Sequence, residues 1–212
     1  MNNFTSIGKK IVAIGRNFSD HAKELGNTVP TSPFFFLKPT SSYLLQGGSV
    51  EVPKGSEVHH EVELGVVIGK NGRDITANEA PDYIAGKSNQ TEAIKKGLPW
   101  SAAKGFDTFT PIGDFIPKDL IKDPSNVNLW LKVNDQMKQN GSTKDMVFKI
   151  PTLIEHISSI MRLEKGDLIL TGTPSGVGPI FAGDVMIAGL NVGDKTLSQV
   201  EFPVVQRNKP NK

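Results

Sequence analysis

Along the chain, apolar residues come in short bursts set off by glycine and proline. Ile11-Val12-Ala13-Ile14, a largely β-branched run ending at Gly15, predicts a buried strand, and Pro33-Phe34-Phe35-Phe36-Leu37, bounded by Pro39, predicts another. Val58 to Ile68 alternates at first and then turns continuously apolar, the pattern of a strand that leaves a polar site and enters a core. Leu129 to Val133, followed by Asn134-Asp135, reads as the first arm of a hairpin. Leu168-Ile169-Leu170 is a strand running into the glycine-rich loop Thr171 to Gly178.

Helical signals are fewer. Ser19 or Asp20 can cap a short helix that Gly26 ends, which puts His21 and Glu24 on one face. Thr76 and Glu79 have capping-box spacing for a brief helix, and Gln90 to Lys96, stopped by Gly97 and Pro99, reads as another. After Pro151, the residues Leu153, Ile154, Ile157, Ile160 and Met161 recur at helical spacing and form a core-facing stripe. Many short strands with few helices, and no internal repeat or linker, predict one β-rich α+β domain over residues 1–212.

Composition narrows the function classes. Basic and acidic side chains number 24 and 22, for a net charge of +2, and no basic run is long enough to follow a phosphate backbone, so nucleic acid is not an expected partner. There is no cysteine, so any metal must be held by oxygen or imidazole. No apolar run is long enough to span a bilayer, and the early strand-like run leaves no room for a signal core. The polar end, Arg207 to Lys212, reads as a frayed terminus.

Several residues carry candidate chemistry, each with a plainer alternative. Glu61 and Glu63, two apart on a strand, point to one face and can hold a hard cation such as Mg2+ or Mn2+; the same spacing on an exposed strand is a solvated edge. His21 with Glu24 can form a dyad that takes a proton from water, or a surface pair on a helix. His59 and His60 can support the strand or approach a metal, the plainer expectation being one packed and one exposed. Lys104, between a loop containing Trp100 and Gly105-Phe106, can set its ammonium against an anion or remain solvated. The Thr171 to Gly178 loop offers backbone N–H groups but lacks the Lys-Ser/Thr ending of a phosphate-binding loop.

Taken in order, Gly15-Arg16-Asn17-Phe18 with His21, Phe36-Leu37-Lys38-Pro39, His59-His60-Glu61-Val62-Glu63-Leu64-Gly65, Lys96-Gly97-Leu98-Pro99-Trp100 and Leu170-Thr171-Gly172-Thr173-Pro174 resemble the fumarylacetoacetate hydrolase domain family across nearly the whole chain. The resemblance, nearest to the acylpyruvate hydrolase and oxaloacetate-acting branch, implies a mixed β-roll or β-sandwich and a homodimer. It also implies a Mg2+- or Mn2+-dependent enzyme that cleaves acylpyruvates, or decarboxylates or tautomerises oxaloacetate. By the same resemblance Glu61 and Glu63 are metal ligands, His21, Glu24 and Lys104 are catalytic, and Arg16, Gln90 and Thr173 contact a small 2-oxo or 2,4-dioxo acid. Mitochondrial location is implied in the same way, with the cytoplasm as the alternative.

The chain departs from the family pattern at one place. After Asp82-Tyr83-Ile84-Ala85-Gly86 the family continues through an apolar strand to an aspartate ligand, whereas here Gly86 runs directly into Lys87-Ser88-Asn89-Gln90. A lost core strand should open a gap in the sheet and remove the third carboxylate, for which Asp82 or Asp107 are the substitutes in sequence. The alternative function is therefore an impaired, dimeric module that binds a 2-oxo acid without turning it over.

Overall fold

The computed structural model describes residues 1–24, 28–95 and 100–208, without the side chains of residues 21–23 and 92–95. The expected helix stop at Gly26, the Lys96 to Pro99 part of the Trp100 motif and the last four residues of the tail lie outside the described residues, as does the side chain of His21. In chain order the strands are β1 (Ile11–Gly15), β2 (Phe34–Lys38), β3 (Tyr43–Leu44), β4 (Val50–Val52), β5 (Val58–Ile68), β6 (Ile84–Lys95) and β7 (Thr110–Pro111). They continue with β8 (Ile116–Pro117), β9 (Asn128–Val133), β10 (Gln136–Ser142), β11 (Leu168–Leu170), β12 (Gly178–Ile180), β13 (Val185–Val192) and β14 (Lys195–Gln206). The helices are α1 (Phe4–Ile7), α2 (Ser19–Glu24), α3 (Trp100–Lys104) and α4 (Ile150–Ile160).

Among the described residues the larger sheet runs β2-β1-β11-β5-β6-β8, with β12 also on β5, and the second sheet runs β10-β9-β13-β14-β4. Alternation along β9, where Leu129, Leu131 and Val133 are buried, turns one face of the second sheet toward β5. Val62, Leu64 and Val66 of β5 meet that face in one core with Met186, Ala188 and Phe202. The α+β sandwich of the resemblance is thus the fold. β5 is buried along nearly its whole length because strands flank it on both sides and the second sheet covers one face.

Local signals held for β1, β2, β5, β11 and the β9–β10 hairpin, whose Asn134 and Asp135 take φ of 48° and 62° as a tight hairpin turn requires. Thr76 and Glu79 do bond each other, Thr76 N–H and hydroxyl donating to the Glu79 carboxylate at 3.0 and 2.7 Å. The turn that follows is a 3-10 helix, Ala80–Tyr83, containing Pro81.

Four expectations are corrected. Helix α4 buries Leu153, Ile154 and Ile157, and Met161 at its C-cap packs half-buried against the same core, but Ile160 is exposed and drops out of the expected stripe. Trp100 sits on helix α3 and not on a loop. Gln90 to Lys95 is strand and not helix, because ladder pairing with β5 from Ile84 to Lys95 outweighs the weak helical preference of so short a segment. Nor does the sheet have a gap after Gly86: the residues that follow occupy the strand position beside β5.

That occupancy has a cost. Asn89 and Thr91 stand opposite Leu64 and Val62, wholly buried, with both Asn89 amide atoms and the Thr91 hydroxyl lacking a partner among the described residues. Lys87 is buried beside them, its ammonium 3.3 Å from the Ile121 carbonyl, and burial lowers its pKa. Asn89→Leu is expected to stabilise the protein by about 1–3 kcal/mol in urea unfolding, since an unpartnered buried amide is removed. Lys87→Met should also stabilise at neutral pH. Because the folded pKa of Lys87 lies below its unfolded value, wild-type stability rises as pH climbs between the two, and the gap between variant and wild type should narrow over that window.

Candidate active site

The site is built on the first half of β5. Glu61 and Glu63 project from one face while Val62 and Leu64 enter the core. Glu61 and Glu63 are 4% and 2% exposed, so they are not a solvated strand edge. Two carboxylates held this far from water require compensation. The Lys104 ammonium lies 2.9 Å from a Glu61 oxygen, and the Gly172 N–H donates to Glu63 at 2.5 Å.

Lys104 arrives from the last turn of α3. Its ammonium lies 5.1 Å from the ring centre of Phe36 on β2 and 5.3 Å from that of Trp100, and the residue is buried, against the plainer expectation of a solvated lysine. Gly172 meets Glu63 because its φ of 97° turns the chain sharply after β11; a Cβ there would stand 2.8 Å from that of Asn17. Asn17 braces the same turn, donating to the Thr171 carbonyl at 2.8 Å.

Thr173, also buried, donates its hydroxyl to the Val62 carbonyl at 2.8 Å and accepts from Val62 N–H at 3.2 Å. It further accepts from Gln139 at 2.8 Å. Its hydroxyl is thus committed to the strand. Arg16 has a φ of 54°. Its Nε is buried without a partner among the described residues, and its guanidinium lies 5.7 Å from the Phe34 ring centre. Glu24, on α2 with His21, accepts from Gly176 N–H at about 3.2 Å, which ties α2 to the loop carrying Thr173. Gln90 stands opposite Glu63 on β6, wholly buried, with its Oε1 unpartnered among the described residues.

Of the two histidines, His60 is packed as expected, whereas His59 is half-buried and not exposed. His59 bonds the Glu57 carboxylate at 2.6 Å near the surface, while His60 is buried and desolvation pushes its pKa down to about 4. Neutral His60 donates through Nδ1 to the Gln139 carbonyl oxygen at 3.2 Å. That residue had no signal in the sequence. Gln139 sits in the polar stretch Gln136 to Asn140, and the register shift between Met137 and Gln139 places it in the core-facing position. There its oxygen accepts from Val62 N–H at 3.0 Å and its amide donates to Thr173 and to the Pro174 carbonyl at 2.8 and 2.9 Å.

Of the substitutes for a third carboxylate, Asp82 is exposed and Asp107 faces the Arg207 guanidinium at 3.4 Å. Among the described residues no three His, Asp or Glu side chains gather as a metal-holding group.

The family description "Fumarylacetoacetate (FAA) hydrolase C-terminal" matches residues 10–205. The mitochondrial oxaloacetate decarboxylase of Dictyostelium discoideum is 54% identical, the match covering 99% of this chain and all of the relative. A mitochondrial oxaloacetate tautomerase of Arabidopsis thaliana is 52% identical, covering 96% of this chain and 94% of that protein. The first match extends over 220 residues against 212 in the whole chain, so at least eight positions of that relative have no counterpart here.

Among solved structures, a yeast fumarylacetoacetate hydrolase family protein has a TM-score of 0.88 at 32% identity, covering 99% of this chain and 98% of that one. Maleylpyruvate hydrolase from Sphingobium, solved with manganese(II) and pyruvate, has a TM-score of 0.83 at 34% identity, covering 95% of this chain and 72% of that one.

Proposed function

Because the chain belongs to the fumarylacetoacetate hydrolase family, we propose that it is a divalent-metal-dependent enzyme of small 2-oxo acids, with oxaloacetate as substrate and its keto–enol interconversion as the reaction. The observation that carries this is the buried pair Glu61 and Glu63 with the Lys104 ammonium between two aromatic rings. The names of the relatives favour oxaloacetate, and the manganese and pyruvate of the Sphingobium enzyme favour a metal and a 2-oxo acid. A mitochondrial location and a homodimer belong to the same proposal.

The residues fit a hard divalent ion. Glu61 and Glu63 offer carboxylate oxygens on one face, and the orphaned Gln90 Oε1 offers a neutral one. Such an ion, when bound, polarises the 2-oxo group of a chelated acid. Lys104 places positive charge where negative charge builds on the substrate oxygen, in surroundings dry enough to make it count. Gly172 and Asn17 hold the turn against Glu63, and Arg16 supplies a guanidinium for a substrate carboxylate.

Hydrolysis of acylpyruvates is the second reading, favoured by Glu24 being tied to the Gly176 loop on the helix that carries His21. Cleavage needs an activated water and enolisation does not, so His21→Ala separates them. EDTA is expected to abolish turnover of both enol-oxaloacetate and acetylpyruvate, and added Mg2+ to restore it. His21→Ala should lose acetylpyruvate cleavage while keeping most oxaloacetate tautomerisation. Folded wild-type protein that turns over neither acid with Mg2+ or Mn2+ would favour the impaired 2-oxo-acid-binding module.

A further inference from the structure

Strand β2 lies antiparallel to β1 in the register that sets Phe34 opposite Gly15. A Cβ on Gly15 would overlap the Phe34 ring, so the glycine makes the room in which that ring lies. Phe34 and Phe36, two apart on the strand, share one face, and Trp100, the first residue of α3, packs against both. Its ring centre stands 5.7 Å from that of Phe34, edge to face, and 5.1 Å from that of Phe36. Each end of this aromatic group carries a cation. The Arg16 guanidinium lies over Phe34 at 5.7 Å, and the Lys104 ammonium over Phe36 and Trp100 at 5.1 and 5.3 Å.

A lysine side chain is a flexible stem ending in a point charge, so its ammonium has to be held from several sides to stay in one place. The 2.9 Å contact with Glu61 sets one distance, and one distance does not fix a position. Two ring faces supply further ones. Phe36 belongs to the sheet, whereas Trp100 lies four residues before Lys104 on the same short helix, the spacing that brings two side chains onto one helix face. At 42% exposure the indole is no core residue, and what it does touch is Phe34, Phe36 and the Lys104 ammonium.

We infer that Trp100 is a positioning residue of the active site: it fixes the Lys104 ammonium against the substrate oxygen and, through Phe34, keeps Arg16 at the other end of the same aromatic group. This rests on the reading of Lys104 as the charge that meets that oxygen. Because a misplacement of about 1 Å at a reacting centre can cost about 100-fold in rate, the indole controls kcat without having to touch the substrate.

The test is a cycle of variants of the full chain, Trp100→Leu, Trp100→Phe, Lys104→Met and the double variant of Trp100→Leu with Lys104→Met, each assayed for Mg2+-dependent tautomerisation of enol-oxaloacetate and for thermal unfolding. Trp100→Leu is expected to lower kcat by about 10–100-fold in a protein still folded at the assay temperature, and Trp100→Phe, which keeps a ring face, to retain most of the activity. On the Lys104→Met background the change to leucine should cost less than about twofold, because the group that the indole positions is already gone. A loss that recurs in full on that background, or a folded Trp100→Leu enzyme with wild-type kcat, overturns the inference and leaves the enzyme reading standing.

A second readout needs no turnover. The chain has two tryptophans, and Trp130 stands on β9 in the second sheet, so Trp130→Phe leaves Trp100 as the sole indole. Its fluorescence emission should shift when Lys104→Met removes the ammonium from the ring face. Emission indifferent to Lys104→Met overturns the inference whether or not Trp100→Leu folds. A wild type that turns over no 2-oxo acid overturns the enzyme reading and this role with it, even where the emission shift keeps the contact between indole and ammonium.

Discussion

Lys104→Met is expected to lower kcat for oxaloacetate tautomerisation by about 100–1000-fold, the range seen when one preorganised charge-stabilising group is removed from an active site. Methionine keeps the length and the apolar stem, so the contacts with Phe36 and Trp100 survive and only the charge goes. The magnitude follows from the surroundings. The ammonium is buried, held by aromatic faces and aimed at a carboxylate 2.9 Å away, so little water is present to take over its role.

The same substitution removes a cation from beside buried Glu61, and breaking such a pair costs on the order of 3–5 kcal/mol. Unfolding must therefore be measured on the same sample, and kcat read well below the variant's Tm. A folded Lys104→Met enzyme with kcat within threefold of wild type would refute the assigned role.

Gln139→Leu should act through the scaffold. One side chain accepts from Val62 N–H and His60 and donates to Thr173 and Pro174, closing the loop after β11 onto the strand that carries both glutamates. Leucine fills similar space but leaves those buried groups short of partners, at about 1–3 kcal/mol each where no other bond forms. A total loss of roughly 3–5 kcal/mol is expected in urea unfolding. Because Val62 lies between Glu61 and Glu63, metal affinity should fall as well, by about 10–100-fold, as for other residues that hold ligands in place. Gln139→Glu keeps the acceptor for Val62 and His60 but not the amide donor, and should fall between the two. A variant that loses stability yet binds Mn2+ with wild-type affinity would limit Gln139 to packing.

How much of this was readable beforehand differs by element. β1 and β5 announced themselves because β-branched runs bounded by glycine are strands in almost any surroundings, and Glu61 with Glu63 share a face by the two-residue period alone. The α4 stripe was legible to Ile157 and failed at Ile160, since periodicity shows which residues line up but not how far the facing sheet extends.

β6 could not be read locally. Lys87-Ser88-Asn89-Gln90-Thr91 has no apolar alternation, and only the unpaired edge of β5 beside it makes a strand of it. Gln139 is one polar residue among several, distinguished solely by a register shift in a hairpin.

Residue order alone therefore settled the type of each strongly patterned segment and the presence of two carboxylates on one face, because backbone geometry repeats over two to four residues. Pairing across the sheets settled the rest: that those carboxylates are buried, that Lys104 lies against Glu61, and that Gln90 stands opposite Glu63. These depend on partners tens of residues distant, whose hydrogen bonds and excluded water set what any one position experiences.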